Sequence, residues 1–500
     1  MSRSQVDIAI IGGGINGCGI ARDAAGRGLS VFLCEKGDLG SGTSSSSTKL
    51  IHGGLRYLAS CDFRLVQKSL AEREVLLNSA PHIIWPLRFV LPHHSGLRPW
   101  PVIRFGLFLY DHLGGRRSLP PTRSLDLSRD VAGRALKAKY RRAFEYTDCW
   151  VDDSRLVVLN ARDAADRGAE IRTHTKCVSA HRVGALWQLT LEDQRDRSKF
   201  TVSAKALVNA GGPWVSDIAR NAFSHVVPAP LRLVKGSHIV IDRAFEHDRA
   251  YTFQNADGRV CFAIPYEGNF TLVGTTDEDF TGDPATAAIS EAEIDYLLSS
   301  VGKYVERPMS RDMIRWTYAG VRPLYDDGAV EARLVTRDYV LDIDEMPSSA
   351  PLVSVIGGKI TTYRRVAEQV MRELARTFPK MSAPWTRGAT LPGGDVPVAS
   401  VGEWVASMFR RYPFLQRPLV RRLCRAYGSL IGVVLAGVTK PADLGRDFGG
   451  GLSEREIEYL IANEWAVTAD DILWRRTKLG LRLTPEEVAA LEHYLREAPA

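Results

Sequence analysis

Val6-Asp7-Ile8-Ala9-Ile10-Ile11-Gly12-Gly13-Gly14-Ile15-Asn16-Gly17, close to the N-terminus, is the stretch whose reading decides the fold. Val6 to Ile11 has the length of a buried strand, and Gly12, Gly14 and Gly17 follow it at G-x-G-x-x-G spacing. Cys18 to Gly28 has the alanine-rich pattern of a helix packed tightly on a sheet. Leu29 to Cys34 reads as a second strand, and Glu35 ends it 23 positions after Gly12. Each residue type has a physical reason. Gly12 permits the tight turn, Gly14 lets backbone approach a pyrophosphate, and Gly17 lets helix touch strand. The helix N-terminus offers N–H groups and a positive dipole end to phosphate. Glu35 stands where a carboxylate accepts from a ribose hydroxyl, the alternative being a solvated acid at a strand end. A lone G-x-G-x-x-G says little, but in this strand, turn, helix, strand and acid order it predicts a Rossmann-like dinucleotide-binding unit.

Outward from that unit the pattern changes twice. Gly40 to Tyr57 (GSGTSSSSTKLIHGGLRY) is first rich in glycine and hydroxyls, then cationic and aromatic. Such a polar loop suits an extended diphosphate and ribityl chain, which favours FAD over NAD. Residues 62 to 80 read as a charged helix, and 171 to 211 as alternating strands that end in the Ala210-Gly211-Gly212 turn. From Gly236 to Thr276 the pattern is antiparallel: Ser237–Ile241, Ala250–Gln254, Val260–Pro265 and Phe270–Gly274, with turns at Asn255–Gly258 and Glu267–Asn269. Ser290 and Glu293 form a capping box. Residues 351 to 378 read as strand, Gly357-Gly358 turn and helix. Pro384, Pro392, Gly393, Gly394 and Pro397 mark a linker, and beyond it capping boxes at Ser453/Glu456, Thr468/Asp471 and Thr484/Glu487 predict a helical C-terminal domain.

The fold class expected is therefore α/β (α+β overall): a Rossmann-like FAD-binding domain, an antiparallel-sheet substrate domain and a C-terminal helical domain. The oxidoreductase region would run over 1–383, with FAD-binding parts at about 1–60, 150–230 and 325–383 and substrate-domain parts at about 61–149 and 231–324. The linker is 384–398 and the helical domain 399–500.

Bulk properties narrow the function. The 500 residues carry a net charge of +7, a mild basic excess that favours anionic partners. The seven cysteines form no C-x-x-C pair, which argues against a zinc site or disulfide framework and for a reducing compartment. No run of 18 apolar residues occurs, so no membrane-spanning helix is expected. Neither a stacking platform nor a recognition helix is visible, so no nucleic-acid partner is expected.

SSSSTKLIHGGLRYL and GINGCGIARDAAGRGLSV resemble the FAD-linked, aerobic glycerol-3-phosphate dehydrogenases of the D-amino-acid-oxidase-like flavoprotein superfamily. The likeness continues in order through FEYTDCWVDDSRLVVLNA, LVNAGGPWV, KGSHIVI, TLVGTTDEDFTGDP, WTYAGVRPLYDDG, TRDYVLDI, GGKITTYR and ADDILWRRTKLG, covering essentially the whole chain. It departs within Ala210-Gly211-Gly212, where relatives often have a threonine before the second glycine. The resemblance implies non-covalent FAD, held by Gly12, Gly14, Asn16, Gly17, Glu35, Ser46, Thr48, Lys49, Gly211, Gly358, Lys359 and Thr361. It implies a substrate pocket lined by His52, Arg56, Tyr57, Thr275, Arg322, Arg337 and Lys359, and oxidation of sn-glycerol 3-phosphate to dihydroxyacetone phosphate with electrons passed to a membrane quinone.

Chemistry assigns roles within that set. A phosphorylated substrate brings nearly two negative charges, which several cations must match. Arg56, Arg337 and Tyr57 would hold the phosphate, and Arg322 would polarise the C2 oxygen. His52 is the first choice for proton acceptor and His238 the rival, histidine starting nearest the working pH. Lys359, at a helix start after Gly357-Gly358, would stabilise reduced flavin.

Pro101 to Leu113 is almost wholly apolar and flanked by Arg98 and Arg116-Arg117, fitting either an interfacial membrane anchor or a core helix. Arg410-Arg411 and Arg421-Arg422 would add lipid contacts or be plain surface charge. The expected location is cytoplasmic, peripheral to the inner face of the membrane. A homodimer stays open, as do an oxygen-using oxidase, an amine-oxidising relative and a non-catalytic flavin sensor.

Overall fold

The computed structural model describes residues 5–58, 62–115, 118–223, 225, 227, 229–255, 257–326, 328, 331, 335, 337–345 and 349–497. The side chain of Arg56, and all of Arg116 and Arg117, lie outside the described set. Two sheets carry the site. The first runs in the order Tyr339–Asp344, Leu352–Gly357, Lys199–Asn209, Gln5–Ile11, Val31–Cys34 and Glu170–Arg172. Its pairings are parallel except at the Tyr339–Asp344 edge, with Ile10 beside both Val208 and Leu33. Thr175–Val183 and Leu186–Asp193 extend it antiparallel from Lys199–Asn209.

Parallel strands buried on both faces need near-continuous apolar sequence, and Ile8, Ala9 and Ile10 are wholly buried. The helix Ile15–Gly26 packs over them. A Cβ at Gly17 would overlap the carbonyl oxygen of Gly12, and one at Gly12, where φ is +109°, would come 2.5 Å from Ala210 O. The glycine pattern thus reflects backbone meeting backbone where two strands end.

The second sheet is antiparallel at its centre, with Leu231–Asp242 between Phe270–Gly274 and Ile314–Tyr325, and Val260–Tyr266 and Ala250–Gln254 beyond. Ala250–Gln254 then pairs parallel with Ile84–His93, which pairs antiparallel with Arg142–Val151. The four strands expected between Ser237 and Gly274 are all present. Leu50–Ile51, read above as part of the nucleotide half, pairs instead with Arg142–Val151 in this sheet. The loop after the second strand has crossed from one sheet to the other.

The helix Phe63–Ser79 is N-capped by Asp62, which accepts from Leu65 N at 3.1 Å. The Ser290/Glu293 box opens Glu291–Gly302 reciprocally. The C-terminal region is helical, with its own core built on Val420, Leu423, Ile457, Leu460, Ile472 and Leu491. The apolar segment forms the helix Trp100–Leu113, but only Leu107 and Tyr110 in it are buried. Phe105 is 61% exposed and Val102 and Phe108 about half, so the core-helix alternative fails.

Candidate active site

One continuous cavity of about 1690 Å³ is lined from both sheets. That exceeds the ~300–1,000 Å³ of an ordinary small-molecule cleft. At one end Gly12, Gly14, Asn16 and Glu35 line it, joined by Ser44, Ser46, Thr48 and Gly211. Glu35 accepts from Gly13 N at 2.7 Å with one oxygen and from Gly37 N at 2.9 Å with the other. Each oxygen keeps a second lone pair for a ribose hydroxyl. Burial pushes its carboxyl up despite those two bonds.

This end fits the dinucleotide expected. Gly14 caps the helix without a side chain, and a Cβ there would meet only Ser44 Oγ, so backbone stays open to a diphosphate. Asn16 donates to Gly357 O at 3.3 Å, while its buried Oδ1 has no partner among the described residues. An orphaned acceptor at a helix N-terminus is a place where a ligand supplies the missing donor.

The hydroxyl-rich loop is anchored from behind. Lys49, at φ +60° and fully buried, points its ammonium away from the cavity onto Asp153 (2.8 and 3.0 Å) and Ser45 O (3.1 Å). Ser47 Oγ donates to the same carboxylate at 2.8 Å. Lys49 therefore braces the loop from within rather than lining the cavity. A sequence reading cannot tell a lysine that faces a ligand from one that turns inward to an acid 104 positions away.

His238 also lies behind the wall. Its Nε2 shares a hydrogen bond of 2.9 Å with Thr48 Oγ1, its ring stacks on Tyr318 at 4.7 Å, and it does not line the cavity. Burial, with Arg322 and Lys49 nearby, pulls its pKa well below the usual histidine value, so it is held neutral.

From the second sheet, the strand Ile314–Tyr325 brings in Arg322, whose Nη1 donates to Asp277 at 2.7 Å and Nη2 to Thr275 Oγ1 at 3.2 Å. Arg337 donates to the same Asp277 oxygen at 3.1 Å. Gly236 exists to admit this arginine, since a Cβ there would lie 2.6 Å from the guanidinium carbon. Pro323 O and the Gly357 turn approach closely (3.4 Å to a Cβ on Gly357), which brings Lys359 to the same end. Lys359 Nζ sits 3.9 Å from the centroid of the Tyr57 ring. The helix expected to start at Gly357-Gly358-Lys359 starts later: Lys359 precedes the short turn Ile360–Thr362, and Tyr363–Glu373 follows.

His52 lines the cavity, and its backbone N donates to Thr361 Oγ1 at 3.4 Å. Its neighbour Gly53 N donates to Tyr110 OH at 2.8 Å; that hydroxyl donates to Asp148, and Arg73 donates to Asp148 at 2.7 Å. The structure thus gathers His52, Tyr57, Thr275, Arg322, Arg337, Lys359 and Thr361 around one cavity. Sequence reasoning missed Asp277, although TLVGTTDEDF contains it, because nothing in a sequence separates Asp277 from Asp279 two places on. It also missed Tyr110, Asp148 and Arg73, which shape the turn carrying His52.

The family comparisons cover both regions. Residues 7–364 match the family described as FAD dependent oxidoreductase, and residues 384–497 match the C-terminal domain of alpha-glycerophosphate oxidase. A glycerol-3-phosphate dehydrogenase of Pseudomonas aeruginosa is 51% identical, over 98% of this chain and 95% of that one. A D-erythritol 1-phosphate dehydrogenase of Brucella abortus is 50% identical over 98% of both chains. Among solved structures, the Bacillus halodurans glycerol-3-phosphate dehydrogenase complexed with FAD superposes with a TM-score of 0.76 at 26% identity, over 99% of this chain and 90% of that one.

Proposed function

The chain belongs to the FAD-dependent oxidoreductase family, and from that premise we propose that it oxidises sn-glycerol 3-phosphate to dihydroxyacetone phosphate, with a membrane quinone as final acceptor. One observation carries the substrate reading: Arg322, Arg337 and Lys359 line the same cavity as the cofactor cradle, with Asp277 between the two arginines. Three cations and one carboxylate leave a net charge near +2 among these side chains. A phosphate monoester carries about −1.5 to −2 at neutral pH, so the pocket matches it. FAD, when bound, supplies the hydride acceptor.

This chain's own groups do the rest. Arg337 binds the phosphate, with Arg56 and Tyr57 as its expected neighbours. Asp277 aligns both guanidinium groups before substrate arrives, which lowers the ordering cost of binding. Arg322 polarises the C2 oxygen. His52 Nδ1 or Nε2 accepts the hydroxyl proton as hydride leaves carbon. His238, neutral and bonded to Thr48, acts as a positioning residue for the cofactor loop. Lys359, which lines the cavity, would add positive charge beside the cofactor and so favour its reduced form.

The acceptor reading rests on the other end of the cavity, which reaches Val102, Ile103, Phe105 and Leu109 of the apolar helix Trp100–Leu113. An exposed apolar helix at the mouth suits an acceptor arriving from lipid, held at an interface. No helix among the described residues is long and apolar enough to cross a membrane, so attachment would be peripheral.

Anaerobic titration of the holoenzyme with glycerol 3-phosphate, glycerol, erythritol 1-phosphate and a D-amino acid, followed by flavin absorbance, tests the substrate. Bleaching by glycerol 3-phosphate at the lowest concentration is expected. Preferential bleaching by erythritol 1-phosphate would instead favour the four-carbon substrate for which the Brucella relative is named. Reoxidation by quinone in liposomes faster than by oxygen is expected, and abundant peroxide would argue for an oxidase.

A further inference from the structure

Asp38 lies three residues after Glu35, in the glycine-containing loop Glu35–Gly40, of which Glu35, Lys36 and Gly40 line the cavity. It is 3% exposed. Its partners come from the far end of the chain: Arg476 donates to both carboxylate oxygens at 2.7 Å, and Arg475 Nε donates at 2.5 Å. Both arginines sit on Asp471–Arg476, which is wound as a π-helix. Such turns are rare and concentrate at functional sites.

The clamp is built into a longer chain of charges. Arg476 also donates to Glu464 O at 2.6 Å, and the Glu464 carboxylate is paired with Arg155 of the helix Asp153–Asp166 at 2.9 Å. Two residues beyond Arg476, Lys478 donates to Ser154 Oγ and Trp474 O, and lies 3.6 Å from Asp152. Ser154 adjoins Asp153, the acid that holds Lys49 and Ser47. Asp471–Lys478 therefore meets both loops that line the cofactor cavity, one through Asp38 and the other through the 152–154 turn.

We propose that the segment Asp471–Lys478 of the C-terminal region is part of the FAD-binding apparatus, with Asp38, Arg475 and Arg476 as positioning residues. Gly37 and Gly40 leave the Glu35–Gly40 loop with many backbone states. Gly37 N donates to Glu35 and Gly40 N to Gly13 O at 2.9 Å, so the loop's position sets where the Glu35 carboxylate stands relative to the glycine turn. Holding Asp38 between two guanidinium groups removes that freedom before cofactor binds, and preorganisation of this kind appears as affinity.

The test compares Asp38→Asn with Glu456→Gln. Glu456 pairs with Arg422 at 2.6 Å inside the C-terminal region, away from either cofactor loop. For each holoenzyme the FAD retained on serial dilution is read by flavin fluorescence, beside the melting temperature. Asp38→Asn is expected to raise the FAD Kd about 10- to 100-fold, the range over which outer-shell partners act on a bound group. The flavin that stays bound should be bleached by glycerol 3-phosphate with an unchanged half-saturating concentration, because the substrate groups lie elsewhere. Glu456→Gln should lower melting without that loss of FAD. Should Asp38→Asn not accumulate, Arg475→Gln removes one arm of the clamp from a partly exposed position and is expected to show the same effect more weakly. An FAD Kd unchanged in both clamp variants, or raised equally by Glu456→Gln, overturns the proposal.

Discussion

Arg322 and Arg337 share a single carboxylate, Asp277, and that sharing sets what each substitution should do. Arg337→Ala removes one phosphate donor and leaves Asp277 still paired, so the cavity keeps its shape. It should raise KM for glycerol 3-phosphate about tenfold or more, since charged hydrogen bonds are worth ~1.5–3 kcal/mol each, with FAD content unchanged. An unaltered KM would place the phosphate elsewhere. For His52→Ala, FAD and substrate should still bind, while flavin reduction in stopped flow slows by ~10²–10⁴. The rate should recover partly at high pH, where the hydroxyl needs less help; reduction at the normal rate would shift attention to a water held by Arg322. Two other histidines make a stability prediction. Burial, with Arg155 and Arg425, pulls His82 down to about 3, and burial, with Arg322 and Lys49, pulls His238 well below its usual value. Both titrate near ~6.5 once unfolded. Their penalty is absent above that pH and grows below it, as the unfolded chain takes up protons the folded chain refuses. Stability should fall by up to ~2.7 kcal/mol per pH unit on this account as pH drops below 6.5. Thermal melts between pH 7 and 5 measure it, and a melting temperature flat across that window would contradict it.

The apolar helix Trp100–Leu113 is the element on which the sequence reading divided. Its outer face exposes Val102, Phe105 and Phe108, while Leu107 and Tyr110 hold it to the molecule. Leu109 is half-buried, so the more exposed Phe105 and Phe108 are the cleaner probes of a lipid contact. Phe105→Glu with Phe108→Glu should reduce sedimentation with anionic liposomes and quinone reduction together. Bleaching of flavin by substrate should survive, because that half-reaction needs no lipid. Sedimentation unchanged in the double variant would move the anchor to the arginine-rich helices of the C-terminal region. Tyr110 adds a constraint at this scale: it ties the same helix to Gly53, next to His52. Substitutions on the buried face should therefore disturb substrate chemistry, and those on the outer face should not.

Across the whole molecule, the C-terminal region is joined to the cofactor domain by buried charge as well as apolar contact. Arg155 and Glu464 are both fully buried. Arg155→Met would leave Glu464 without this partner in the interior, a change worth about 3–5 kcal/mol. A lower melting temperature with earlier loss of flavin fluorescence quenching is expected. Stability equal to the parent protein would mean that the interface relaxes to admit water.

The sequence by itself determined the fold class, and most of the residues it singled out for cofactor and substrate line one cavity. These depend on local facts: a six-residue strand with four apolar residues in a row before a glycine turn, an acid 23 positions on, capping boxes with three-residue spacing. Backbone geometry acts over a few residues, so a sequence displays it directly. Only the tertiary structure decided which way Lys49 and His238 face, that Asp277 joins two arginines, and that Asp38 meets Arg475 from 437 positions away. The same residue types are solvated charges in most settings. Their roles follow from desolvation and pairing, which exist only once distant segments have been packed against each other.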